Sequence, residues 1–219
     1  MTELTNLGEI PGQTPPPKNT APAIDQIRGL GTQILEELEK TGDLLVQSGK
    51  LVLPETTTVM VTSLASMTRA EPGVEHDNRI IALGQYEKVV GMIGARLVYC
   101  QHYNHYRGKD LEEMEAIIAH NSEIGNQLLG VFVDNMTDPD SYVSLSAIDN
   151  FRKAEPRWGI HNGSGVTLSS DLIGRAVGAI TEKINARAPG FGPGEDRYGG
   201  TSPAYDVLSM LGSPYSFKK

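Results

Sequence analysis

Apolar residues recur at helical intervals through most of the chain's centre. Ile24, Ile27, Leu30, Ile34, Leu38 and Leu45 form one stripe and predict an amphipathic helix over 23–48, with Glu36, Glu37, Glu39 and Lys40 on its other faces. Gly29, Gly31 and Gly42 each weaken that helix by about 1 kcal/mol relative to Ala, so tertiary contacts must hold it. Residues 51–70 carry a mixed signal. Thr56, Thr57, Thr58, Val59, Val61 and Thr62 favour a strand, yet Met60, Leu64 and Met67 keep helical spacing behind Pro54. The reading leans to a helix over 55–70, ended by Pro72-Gly73.

The next helix is expected over 77–107. Its Ile80, Ile81, Leu83, Val89, Val90, Met92, Ile93, Leu97 and Val98 are spread around most of the surface, which predicts a largely buried element. Gly84, Gly91 and Ala95 share a side on which a second backbone could come close. Gly108 ends the helix, and Asp110 with Glu113 makes a capping-box start for another. The clearest stripe follows: Leu111, Met114, Ile117, Ile118, Ile124, Leu128, Val131 and Phe132, with Leu111, Ile117, Ile118, Ile124 and Leu128 expected to be buried together. Asn121 interrupts this stripe and Arg96 the preceding helix, either as edges facing water or as polar residues that fix register in an assembly. Asp138-Pro139 opens a helix lined by Tyr142, Leu145, Ile148 and Phe151 and closed by Pro156. Leu172, Ile173, Ala176, Val177, Ile180 and Ile184 predict one over 169–188, and Ser202-Pro203 begins a short turn running to Gly212.

The ends differ from this centre. Residues 1–23 hold Pro11, Pro15, Pro16, Pro17 and Pro22, and the Pro15–Pro17 run predicts extended polyproline II. Over 186–219, ten of 34 positions are Gly or Pro, the level of irregular chain. The expected organisation is therefore an all-α bundle of five to six helices over 23–188. A Pro-rich N-terminal arm covers 1–22, and a Gly/Pro-rich C-terminal arm with a short terminal helix covers 189–219.

Charge and composition narrow the chemistry. With 19 Lys+Arg against 27 Asp+Glu the net charge is −8, which argues against a nucleic-acid footprint. A single cysteine, Cys100, excludes an intramolecular disulfide and every multi-cysteine metal site. The first residues lack a signal-peptide pattern, and no run of about 18 apolar residues exists, so no membrane partner is expected.

Tyr99–Tyr106 is the densest polar group. His102 and His105 could share a helix face and, with His120, Glu113 or Glu123, hold a divalent metal. No carboxylate stands three residues before either histidine, so the Glu-x-x-His signature of di-iron bundles is missing, and no metal or other cofactor is expected. Cys100 and His102 are two apart and point in different directions, which argues for an inert thiol rather than a nucleophile. His161–Gly165 and Gly190–Gly194 are glycine-rich without the Gly-Lys-Ser/Thr of a phosphate loop and read as hinges. Asp134, Asp138 and Asp140 lack the central Gly and closing Glu of a calcium loop, and Asp138 reads as a helix cap.

No catalytic residue emerges. The functional expectation is a non-enzymatic structural subunit that associates with itself and with other assembly proteins. Such a subunit suits a virion component of tailed-phage head–tail or tail type, assembled in the host cytoplasm. Pro15, Pro16, Pro17, Phe191, Tyr198, Tyr205, Tyr215 and Phe217 are its expected interface anchors. The rival readings are a helical metalloprotein or enzyme using His102, His105 and His120, and an adaptor whose Pro-rich arm docks a partner domain.

Overall fold

The computed structural model describes residues 21–70, 75–102, 108–160, 166–192 and 202–212. Among them the chain is all-α, with seven α-helices and one short hairpin. The order is α1 (Ala21–Thr41), a 3-10 turn (Gly42–Leu45), β1 (Val46–Gln47), β2 (Lys50–Leu51), α2 (Glu55–Ser66), α3 (His76–His102), α4 (Leu111–Met136), α5 (Ser141–Ala154), a second 3-10 turn (Glu155–Trp158), α6 (Ser170–Asn185) and α7 (Pro203–Met210). None of the described helices is long and apolar enough to cross a membrane.

The helix α3 is the axis of the bundle. It packs against α1 on one side, α5 on another and α2 on a third, as its nearly all-round apolar surface requires. Ala82, Leu83, Tyr86, Val89, Val90, Ile93 and Leu97 are buried along it. The helix α4 lies on α5, α6 and β2, and meets α3 far less. Trp158 fills the gap between α3 and α4. A Cβ placed on Gly94 of α3 would lie 2.6 Å from Trp158 Cδ1, and one on Gly125 of α4 would lie 3.1 Å from Cε3. Among the described residues, no second backbone approaches α3 at the expected positions: the side chains of Arg157 and Trp158 close on Gly91 and Gly94, whereas Ala95 is exposed and nothing stands over Gly84. The same turn is tied to α3 by Arg157 Nη1, 3.2 Å from Glu87 Oε1.

The boundaries follow local chemistry. Asp110 caps α4 by accepting from the Glu113 amide at 2.8 Å, and Ser169 caps α6 by accepting from Leu172. The cap of α5 is Asp140, which accepts from Tyr142, and not Asp138, which is drawn into a buried ion pair instead. The first helix stops at Thr41, short of the expected 48, because the chain turns so that Leu45 and Val46 enter the core. A hairpin follows that helical periodicity gave no reason to expect. Its two-residue turn, Ser48-Gly49, has positive φ at both positions (51° and 90°), the backbone that a tight hairpin needs.

Three expectations about burial are corrected. Leu111 is 71% exposed, because the first turn of α4 projects past its partners, and Ile118 is half-buried. Asn121 does not face water but is fully buried. The segment after 188 is not wholly an arm that needs a neighbour. Phe191 is 1% exposed inside the chain's own core, and α7 buries Ala204, Val207 and Leu208 against α5 and α6.

Candidate functional site

A cavity of about 540 Å³ opens between β2, α2, α3 and α4. Its floor is apolar: Leu51, Val61, Ala65, Tyr86, Ile124, Leu128 and Val131. These come from the stripe of α4, the inner face of α2 and one aromatic of α3, so the incomplete burial of Ile124 reflects a wall and not a solvent edge. Tyr86 donates its hydroxyl proton to the Leu128 carbonyl at 3.1 Å, and its ring meets Phe132 edge-on at 5.3 Å between centroids. Burial pushes the Tyr86 phenol above its ordinary pKa, so it remains a neutral donor. The rim is polar: Thr58, Thr62, Ser66, Arg69, His120 and Gln127. Among the described residues no Asp or Glu lines the cavity, although acidic residues outnumber basic ones 27 to 19 in the chain.

His120 and Asn121 clamp the hairpin to this wall. Asn121 Oδ1 accepts from the Leu51 amide at 2.8 Å, and Asn121 Nδ2 donates to the Gly49 carbonyl at 2.9 Å. His120 Nε2 lies 2.9 Å from the Leu51 carbonyl, which can only accept, so Nε2 carries the proton and Nδ1 is the free ring nitrogen of the neutral form. A two-stranded hairpin is marginal by itself in water, and α4 supplies the bonds that a third strand would have given. Replacing Asn121 by Leu leaves the Leu51 amide and the Gly49 carbonyl unsatisfied at about 1–3 kcal/mol each. Urea unfolding should register the loss as a lower midpoint with an unchanged slope.

A second polar group is buried where the end of α2 meets α3, α4 and α6. Arg79 pairs with Asp138, and its Nε donates to the Thr68 carbonyl at 3.0 Å. Thr68 Oγ1 accepts from Asn135 Nδ2 at 3.0 Å and donates to the Ala65 carbonyl at 2.7 Å. Asp138 Oδ1 accepts from the Asp140 amide, and its backbone carbonyl accepts from Lys183 Nζ. These groups hold four elements in register. The acidic run 134–140 is consumed in the same way, since Asp134 pairs with Arg175, Asp138 with Arg79, and Asp140 caps α5.

The sequence-derived candidates are scattered. His120 lies on the cavity rim, whereas His105 and the side chain of His102 fall outside the described residues. Glu113 is exposed and bonded to Lys109. Among the described residues, no three His, Cys, Asp or Glu side chains gather as a metal set would. Cys100 is buried, and burial raises its thiol pKa, away from the reactive thiolate. Of the expected interface anchors, Phe191 is interior and Tyr205 is half-buried on α7. Pro15, Pro16, Pro17, Tyr198, Tyr215 and Phe217 lie outside the described residues, as does His161–Gly165. The cavity itself escaped sequence reasoning, because its walls come from positions as distant as Leu51 and Leu128. Comparison with protein-family models, with curated proteins and with solved structures finds no match to this chain.

Proposed function

We propose that this chain is a non-enzymatic structural subunit of a homo-oligomeric assembly, in which its terminal segments contact neighbouring copies and other assembly proteins. The observation that carries the reading is a division of labour along the sequence. The helices between 21 and 192 and α7 bury their own apolar side chains in one core. Outside them the sequence places Pro15-Pro16-Pro17 at one end and Tyr198, Tyr215 and Phe217 towards the other. Stiff proline runs lose little entropy on docking, and aromatic anchors carry much of the energy of interfaces. The setting we propose is a virus particle, of tailed-phage head–tail or tail type, where subunits with reaching arms are common; this part rests on architecture alone.

Because Phe191 and α7 belong to the core, the informative truncations are shorter than the expected arms: removal of 1–20 and removal of 213–219. Light scattering should find the full chain in a species several times its 23.7 kDa mass. Each truncation should reduce that mass while circular dichroism reports an unchanged helix content. A monomeric full chain, or truncated chains that assemble as well as the full one, would remove the proposal.

A further inference from the structure

We propose that the cavity between α2, α3 and α4 binds a medium-chain monocarboxylate of the fatty-acid class, with its alkyl chain on the apolar wall of α4 and its carboxylate at Arg69. The cavity falls in the ~300–1,000 Å³ class that takes small organic ligands in apolar walls with a few polar fixing groups. Along α4 it runs from His120 to Val131, eleven residues or about 16 Å at the helical rise. It is therefore an elongated slot.

Charge chooses the headgroup. Among the described residues, Arg69 and His120 are the only cationic or cation-forming groups on the lining, and no carboxylate joins them there. Arg69 stands at the Val131 end, because Arg69, Gln127 and Val131 also line the adjoining groove that continues to Asp134 and Arg175. Among the described residues, no carboxylate lies within ion-pair distance of Arg69, whereas Arg79 and Arg157 are each held by one and Arg175 by two. A guanidinium at the mouth of an apolar slot fits a carboxylate by two parallel hydrogen bonds. Glu123, Asp134 and Asp171 line the groove beyond it and disfavour a doubly charged phosphate ester more than a singly charged carboxylate. At the opposite end His120 is committed through Nε2 to Leu51, which leaves the apolar middle of the slot for the chain.

Calorimetric titration of the full chain with octanoate, decanoate, decanol and decylamine tests this. Each methylene between octanoate and decanoate should tighten binding about threefold to fourfold, the transfer value for a buried CH₂. Decanoate should bind at least roughly tenfold tighter than decanol or decylamine, the advantage of a charge-assisted bidentate pair. In Arg69→Gln, at an exposed position, decanoate should fall to the level of decanol while decanol binding is unchanged. In Thr62→Trp, also at an exposed rim position, all four should weaken. Absence of saturable binding by any of them to the folded wild-type chain overturns the site. A decanoate preference that is missing in the wild type, or survives Arg69→Gln, overturns the headgroup assignment.

Discussion

Truncating Trp158 to Ala should cost about 3–5 kcal/mol, the range for removing a buried large aromatic side chain. The site cannot collapse readily, because the side chain has no exposed surface and is flanked by Gly94 of α3 and Gly125 of α4. Whole domains are stable by only about 5–15 kcal/mol, so the loss is a large part of the total. At about 2–4 °C per kcal/mol for a chain of this size, the thermal midpoint should fall conspicuously. Circular dichroism is the readout, since Trp158 is the chain's single tryptophan and its fluorescence is lost with it. Leu44→Ala, at a position 70% exposed, is the control and should move stability by less than about 0.5 kcal/mol.

The packing argument makes a sharper claim through Gly94. Gly to Ala within a helix is ordinarily stabilising by up to about 1 kcal/mol. Here the added methyl would stand 2.6 Å from Trp158 Cδ1, so Gly94→Ala should destabilise the wild-type chain. With Trp158→Ala already present the obstruction is gone, and the same substitution should become neutral or stabilising. A double-mutant cycle that shows simple additivity would mean that the tryptophan does not set the spacing of α3 and α4.

What was legible beforehand depended on how local the cause was. The cap at Asp110 and the start at Pro203 fall within one turn of the positions they govern, and the helices begin where those residues stand. Even there one detail differs: Glu113 does not reach back to Asp110, as a full capping box would have it, but bonds Lys109. The hairpin was missed because two-residue strands are too short to show a period of two. Its one local sign was Ser48-Gly49 between Val46 and Leu51. Asp138 was misread as a cap because its partner, Arg79, is 59 residues away, and no spacing rule couples positions so far apart. The candidate site is the least local feature of all. Arg69 and Tyr86 look unremarkable in the sequence and His120 stands out there only as a candidate metal ligand; the three become one lining only when α2, α3 and α4 leave a slot between them. Asn121 could have been found by a stricter polar accounting: a polar residue within an apolar stripe needs partners, and β2 provides them.

Breaking the Arg79–Asp138 pair from one side should be about as damaging as the loss of Trp158. Both side chains are nearly inaccessible, at 7% and 6% exposure, so removing either leaves the other charge buried without its counter-charge. The usual cost is about 3–5 kcal/mol. Asp138→Ala also strips the Asp140 amide of its acceptor, and Arg79→Met releases the Thr68 carbonyl. Each single substitution should therefore lower the urea midpoint strongly. The double substitution Arg79→Met with Asp138→Ala should cost much less than the sum, because no uncompensated charge remains. What persists is the loss of the hydrogen bonds that the two side chains made to the Asp140 amide and the Thr68 carbonyl, roughly 1–3 kcal/mol for each group left unsatisfied. Salt separates this pair from its surface counterparts. The Asp138→Ala deficit should be nearly the same at 0.1 M and 1 M chloride, since buried pairs are screened little, whereas the exposed Lys40–Glu37 pair should contribute little even at low salt. Equal costs for the double variant and the summed singles would show that the charges do not act on each other, and that the group at the end of α2 is held by the separate hydrogen bonds of its members alone.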